Sequence, residues 1–104
     1  MKAYLIDATT RSITPVVLTD GLADIATLIG YDTIESDAID ASGDRLFFDE
    51  RCFLREQTCN VRFQIDSLAP VANKALVVGT ADDGTLLKEV MVDQTTLERR
   101  VTWL

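Results

Sequence analysis

Apolar residues along this chain fall in short blocks separated by turn formers, which predicts a small sheet of short strands. The clearest block is 75–78, where Ala-Leu-Val-Val stands between a Lys and a Gly. Short apolar runs with branched residues are typical of strands covered on both faces, so we place this strand mid-sheet. Residues 80–84 predict a reverse turn, because Asp and Gly accept left-handed backbone angles. Segment 63–92 is then interpreted as the central hairpin of one sheet and its lead-in, with the chain returning through 85–92.

Five further segments have the pattern of strands, at 2–7, 13–18, 33–39, 45–48 and 61–65. The first two form a predicted hairpin, and Pro15 favours an edge position because it lacks a backbone donor. The strand at 33–39 alternates, with Ile34, Ser36 and Ala38 on one face and Glu35 and Asp37 on the other. It returns through a turn at 40–43 into the strand at 45–48.

A first helix is predicted from Leu22, Ile25, Ala26 and Ile29, which recur at spacings of three and four residues. Thr19 and Asp20 offer a cap at its start, and Gly30 is placed to end it in a left-handed conformation. The apolar stripe predicts a helix that packs on the sheet.

The end of the chain allows two interpretations. Thr95 and Glu98 fit a capping box and predict a short helix with Leu97, Val101 and Leu104 on one face. Residues 101–104 alone fit a strand equally well. Together these elements predict an α+β fold in a single domain over 1–104, with a small, mostly antiparallel sheet, one helix on a face and a short C-terminal helix.

Composition excludes several classes of protein. The chain has 104 residues, 47% of them hydrophobic and 26% charged, which are ordinary values for a globular protein. No apolar run approaches the roughly 18 residues of a membrane span, and the first residues lack a signal sequence. We therefore expect a cytoplasmic protein. The absence of His removes imidazole-dependent triads and His metal sites.

The two cysteines lie in the least regular part of the chain, 49–60. Cys52 and Cys59 have six residues between them, a spacing that fits neither a zinc pair nor a redox motif. We expect reduced, buried or idle thiols, and a loop in which Phe53 and Leu54 turn inward.

Charge is the one uneven feature of the sequence. Between residues 20 and 50 there are nine acidic residues and one basic residue, a net of −8, whereas the whole chain carries −7. One interpretation is a solvated face that aids solubility. Another is a docking surface for a basic protein, which could include occupation of a cationic nucleic-acid channel. The expected partner-binding residues are Asp20, Asp24, Asp32, Glu35, Asp37, Asp40 and Asp44. Direct binding of nucleic acid is disfavoured by the same charge, and no membrane contact is expected.

The alternative to a protein-binding role is an enzyme that uses a carboxylate cluster, or a module that binds a divalent cation weakly. A calcium loop that starts at Asp40 would place Arg45 where glycine is needed and Arg51 where a bidentate Glu is needed. We therefore expect no catalytic residues, no bound metal and no cofactor. A self-associating structural protein, for instance a homodimer, is a further alternative.

Several segments also resemble a family of small uncharacterised proteins from bacteria and their phages and plasmids, classified as a domain of unknown function. The resemblance rests on five stretches, at 1–7, 28–35, 44–49, 70–79 and 82–84. It implies an accessory product of a mobile element that binds host machinery. We thus expect a non-enzymatic binding protein, in which Lys at positions 24, 37 and 40 would abolish partner capture and leave the fold intact.

Overall fold

The computed structural model describes residues 1–55 and 60–104, which form two helices and nine strands. In chain order these are β1 (Lys2–Asp7), β2 (Ser12–Val17), α1 (Leu22–Ile29), β3 (Ile34–Ala38), β4 (Asp44–Asp49), β5 (Arg62–Ile65), β6 (Val71–Ala72), β7 (Lys74–Ala81), β8 (Leu86–Lys88), α2 (Gln94–Arg100) and β9 (Val101–Trp103). The predicted α+β class, with antiparallel sheets and two helices, is confirmed. No helix in the described part of the chain is long and apolar enough to cross a membrane.

The larger sheet has the strand order β2-β1-β7-β4-β3, and β8 pairs with the later part of β7. All of these pairs are antiparallel. The central position predicted for residues 75–78 is confirmed, because β7 lies between β1 and β4 and these residues are fully buried. The predicted hairpins β1-β2 and β3-β4 are also confirmed, and Pro15 lies on an edge strand as expected.

A second sheet of three strands, in the order β6-β5-β9, was not predicted. Phe63 of β5 pairs with Trp103 near the end of the chain. The predicted central hairpin is confirmed by the pairing of β7 with β8, whereas the segment that leads into it belongs to the second sheet. The chain passes between the two sheets at Asn73, whose φ is 69°. Its N–H donates to Val61 O at 2.9 Å, and its carbonyl accepts from Ala8 N at 2.8 Å. A single left-handed residue therefore hydrogen-bonds to the residue that precedes β5 and to the residue that follows β1.

The two faces of the larger sheet are covered by different elements. On one face α1 buries Ile25 and Ile29 against a cluster that includes Phe47, Leu76 and Val78. On the other face the second sheet and α2 pack, and the buried residues there include Tyr4, Ile6, Leu46, Val77, Phe63, Ile65 and Leu97. Each fully buried Ile or Leu contributes about 1.5–3 kcal/mol. The predicted stripe of α1 is confirmed at Ile25 and Ile29, whereas Leu22 is 61% exposed.

The predicted start of α1 is wrong, while its predicted end is confirmed. Gly21, with φ 56°, precedes the helix and makes no side-chain cap. Instead Asp24 in the first turn accepts the N–H groups of Thr19 and Asp20 at 2.6 and 2.8 Å. Gly30 is left-handed at φ 93° and donates its N–H to Ala26 O.

At the C-terminus both predicted elements are present, a helix over Gln94–Arg100 and a strand over Val101–Trp103. The helix α2 is capped by Asp93, whose side chain accepts from Thr96 N at 2.7 Å, and not by Thr95. The chain then becomes β9, so Val101 is buried in a strand. Trp103 packs edge-to-face on Phe63, with the ring centroids 6.2 Å apart.

The irregular segment after β4 contains a 3₁₀ turn at Cys52–Leu54. Cys52 is buried as predicted, and its Sγ accepts from Ala72 N at 3.4 Å. The inward orientation expected of the next two residues is wrong, because Phe53 is 47% and Leu54 76% exposed. Cys59 lies outside the described residues.

Candidate protein-binding site

The acidic residues between 20 and 50 do not form one surface, because several of them hold the fold together. Asp44 is fully buried at the start of β4. Its Oδ1 accepts from Met91 N and its Oδ2 from Val92 N, both at 2.9 Å. The sequence-based assignment of Asp44 to a partner surface is therefore corrected, since its carboxylate anchors the segment after β8 and does not reach solvent.

Asp49, at the other end of β4, is likewise buried and hydrogen-bonds to neighbouring segments of the fold. Its carboxylate accepts from the hydroxyl of Thr33, from Arg51 N and from Nε of Arg55, the last two at 3.0 Å. Burial raises the pKa of Asp49, but these donors and the Arg55 charge outweigh it and leave the pKa below its usual value. The same contact raises the pKa of Arg55, whose guanidinium stacks 4.0 Å from the centre of the Tyr31 ring.

Asp24 and Asp40 also have local partners. The backbone N–H of Thr19, together with that of Asp20, lowers the pKa of Asp24. Asp40 accepts from Ser42 and from Nη1 of Arg100 at 3.0 Å, and these contacts lower its pKa. Replacement of either residue by Lys would therefore remove fold contacts, which revises the expectation that such changes leave the fold intact.

Arg100 is a structural residue that the sequence did not single out. It lies at the end of α2 and donates from Nε and Nη2 to one carboxylate oxygen of Asp66, at 2.9 and 2.6 Å. It also bonds to Asp40 and to the carbonyl of Ile39. It thus joins the turn after β3 to the turn after β5. No local pattern signals this role, because Asp40 and Arg100 are 60 positions apart.

Five of the seven expected partner residues are exposed, and one of them, Asp40, forms a salt bridge with Arg100. Among the described residues, the other four take part in no salt bridge. These four, Asp20, Asp32, Glu35 and Asp37, are called the acidic surface below. Asp20 precedes α1, Asp32 lies between α1 and β3, and Glu35 and Asp37 lie on β3.

A groove of about 390 Å³ runs between α1 and β3 beside this acidic surface. Leu22 and Ala26 of α1 line it together with Ile34 of β3 and Phe47 of β4. Asp32 and Glu35 are the two acidic residues among its lining. The groove thus combines apolar lining residues with the carboxylate of Asp32, while the side chain of Glu35 alternates to the opposite face of β3. This arrangement is suited to a partner that offers both apolar and basic side chains.

The carboxylates do not converge as a metal centre would require. Over residues 1–55 and 60–104, no group of three or more acidic or Cys side chains could hold a metal ion. The carboxylates of the candidate calcium loop have separate roles, because Asp40 bonds to Ser42 and Arg100 whereas Asp44 lies inside the protein. The described carboxylates thus do not form the metal-binding group that the cation module requires.

Comparisons of the chain with protein-family models, with curated proteins and with solved structures found no match. The candidate site therefore rests on its own geometry, and the resemblance to phage and plasmid proteins stays a prediction.

Proposed function

We propose that this protein is a non-enzymatic accessory protein that binds a basic surface of another protein through its acidic surface. The observation that carries the proposal is the exposure of Asp20, Asp32, Glu35 and Asp37, none of which forms a salt bridge among the described residues. Asp24, Asp40, Asp44 and Asp49, from the same segment, are engaged in hydrogen bonds. The segment thus separates carboxylates that maintain the fold from carboxylates that are available to a partner.

The charge of the chain favours a basic partner and disfavours nucleic acid itself. Exposed carboxylates that form no salt bridge attract positive surfaces and raise the association rate. Phosphates would be repelled by the net charge of −7. The resemblance noted above suggests a mobile-element protein that binds host machinery, and occupation of a cationic nucleic-acid channel is one form of such binding.

The test compares two double variants that remove the same charge. Glu35→Gln with Asp37→Asn neutralises two members of the acidic surface and keeps their size. Asp82→Asn with Glu98→Gln is the matched control, because both of these residues are exposed, lie outside the acidic surface and take part in no salt bridge among the described residues. Each protein is used to capture partners from a bacterial lysate treated with nuclease, at low salt and at about half-molar salt, where the screening length is about 4 Å.

The expected result is a discrete partner that the wild type and the control capture at low salt and that the Glu35/Asp37 variant loses. High salt should release it from every version. Equal capture by the two double variants would show that the acidic surface does not carry the interaction. No salt-sensitive partner at all would leave solubility as the role of the charge.

A further inference from the structure

We propose that the outer edge of β3 accepts an extended basic segment of the partner protein as an added strand. This inference rests on the proposed function and specifies how the partner would bind. Strand addition supplies affinity through main-chain hydrogen bonds and specificity through alternating side chains. Three features of β3 favour it: the direction of its backbone groups, the groove beside it and the charges on the strand.

The pairing of β3 with β4 determines which backbone groups face outward. Glu50 N donates to Thr33 O at 2.7 Å, and Ile39 N donates to Asp44 O at 3.1 Å. Directly opposed residues in an antiparallel ladder alternate between bonded and non-bonded pairs. The odd-numbered residues of β3 therefore bond inward, and the backbone groups of Ile34, Ser36 and Ala38 point to the outer edge.

Among the described residues, one side chain bonds to this outer edge. Arg45 donates from Nη2 to Ser36 O and from Nε to Ser36 Oγ, both at 3.0 Å. No other described group bonds to the outward N–H and C=O groups of Ile34 and Ala38. An incoming strand would thus find most of the β3 edge available.

The opposite edge of the same sheet is protected, which makes the β3 edge distinctive. Leu18 N donates to Met1 O, so the alternation turns the backbone groups of Ile13, Pro15 and Val17 outward on β2. Pro15 has no N–H to offer, and Gln94 donates to Ile13 O at 2.8 Å. Proline and covering side chains are common means of preventing edge pairing.

The two faces of β3 specify the chemistry of the occupant. Ile34, Ser36 and Ala38 share the face towards α1 and the groove, whereas Glu35 and Asp37 share the opposite face. Side chains of an added strand alternate in the same way. Apolar residues would then lie towards the groove, and Lys or Arg would face the two carboxylates. The occupant is an extended segment with alternating apolar and basic residues.

A second copy of this chain is the poorer occupant of the same edge. Pairing of β3 with another β3 would bring Glu35 and Asp37 of each copy near those of the other. Like charges opposite each other on neighbouring strands are destabilising. The charge pattern therefore favours a basic partner over self-association.

The first experiment uses a blocked peptide of alternating Val and Lys, followed by NMR of the protein at low salt. Binding should slow the amide hydrogen exchange of Ile34, Ser36 and Ala38. A peptide with Glu in place of Lys should not bind. Glu35→Gln with Asp37→Asn should weaken binding by about 2- to 30-fold, as expected for two exposed ion pairs.

Two N-methylated peptides separate strand addition from charge attraction. Methyl groups on the Val amides block an antiparallel strand, because its bonding residues share the α1 face with Ile34, Ser36 and Ala38. Methyl groups on the Lys amides block a parallel strand, because the residues of such a strand that bond to β3 lie on the opposite face, where the Lys side chains are. One methylated peptide should bind at least about fivefold more weakly than the other, since two or more main-chain hydrogen bonds are lost.

Each remaining outcome has a definite meaning. Equal effects of the two methylations, or no binding of the parent peptide, would overturn strand addition. If Glu35/Asp37-dependent capture from lysate persists in that case, the proposed function stands without it. Loss of peptide binding together with loss of Glu35/Asp37-dependent capture would overturn strand addition and the proposed function. Dimerisation of the protein that the Val-Lys peptide cannot reverse would assign the edge to a second copy and would also overturn the proposal.

Discussion

The buried carboxylate of Asp44 provides the sharpest test of how this fold uses its acidic residues. Asp44→Asn preserves the size of the side chain and removes its charge. In the protein the two carboxylate oxygens accept from Met91 N and Val92 N, both at 2.9 Å. The Asn amide can supply one acceptor oxygen, and its NH₂ group then faces the other N–H.

The expected cost follows from these two hydrogen bonds. A hydrogen bond to a charged group contributes about 1.5–3 kcal/mol, and an unsatisfied buried donor costs about 1–3 kcal/mol. Asp44→Asn loses one such bond, weakens the other and leaves one N–H without an acceptor. We expect the free energy of unfolding to fall by about 2–4 kcal/mol, with a Tm lower by at least about 8 °C.

Urea denaturation of Asp44→Asn beside Asp37→Asn measures this cost against a matched control. Asp37 is an exposed Asp of the same segment, so its change should alter stability by no more than about 0.5 kcal/mol. Hydrogen exchange should also accelerate at the amides of Met91 and Val92. Equal stability of the two variants, with unchanged exchange at these amides, would refute the structural role assigned to Asp44.

Four further substitutions test other features of the fold by the same denaturation assay. Arg100→Ala should cost about 1 kcal/mol, because partly exposed ion pairs are weak; a loss unchanged in about 1 M salt would contradict an ionic contribution. For Asp49, burial raises the pKa but the donors outweigh it, so the folded pKa lies below 3.8. The ionised Asp49 therefore adds to the free energy of unfolding above pH 3.8, and this contribution is lost as the pH falls through the lowered pKa. Asp49→Asn should reduce the loss of unfolding free energy at acid pH, and an unchanged acid dependence would contradict this. Gly79→Ala should cost more than about 3 kcal/mol, because a Cβ there would lie 2.2 Å from Glu89 O. Gly30→Ala, with φ 93° and open space, should cost about 1–2 kcal/mol, and equal costs at the two glycines would refute the steric argument.

Local patterns predicted the elements whose partners are near in sequence. The hairpins β1-β2 and β3-β4, the end of α1 at Gly30 and the central strand β7 follow from alternation, apolar runs and turn residues. The second sheet could not be predicted in this way, because β5 pairs with β9 near the end of the chain. Its separation from β7 depends on the left-handed conformation of Asn73, and an Asn in a sequence does not reveal which conformation it adopts.

The acidic segment was harder to interpret because clustering in sequence was taken as clustering on a surface. The alternation of β4 contained a signal against that interpretation. Asp44 shares a strand face with Leu46 and Phe48, and Asp49 shares the other face with Phe47. Once both faces of β4 are covered, acids at its two ends must turn inward and find donors. The donors for Asp44 lie 47 and 48 positions later, so no local pattern could identify them.

The two carboxylates on β3 affect both self-association of the protein and the choice of an added strand. An unpaired strand edge attracts other strands without regard to their sequence, because it offers main-chain groups alone. Glu35 and Asp37 change this property, since they oppose a second acidic edge and attract a basic one. Specificity of this kind needs repulsion of the wrong partner as well as attraction of the right one. Under the proposed strand addition, one pair of side chains would supply both effects, so a β3 edge without their charge should bind a basic strand less well and pair with its own copies more readily.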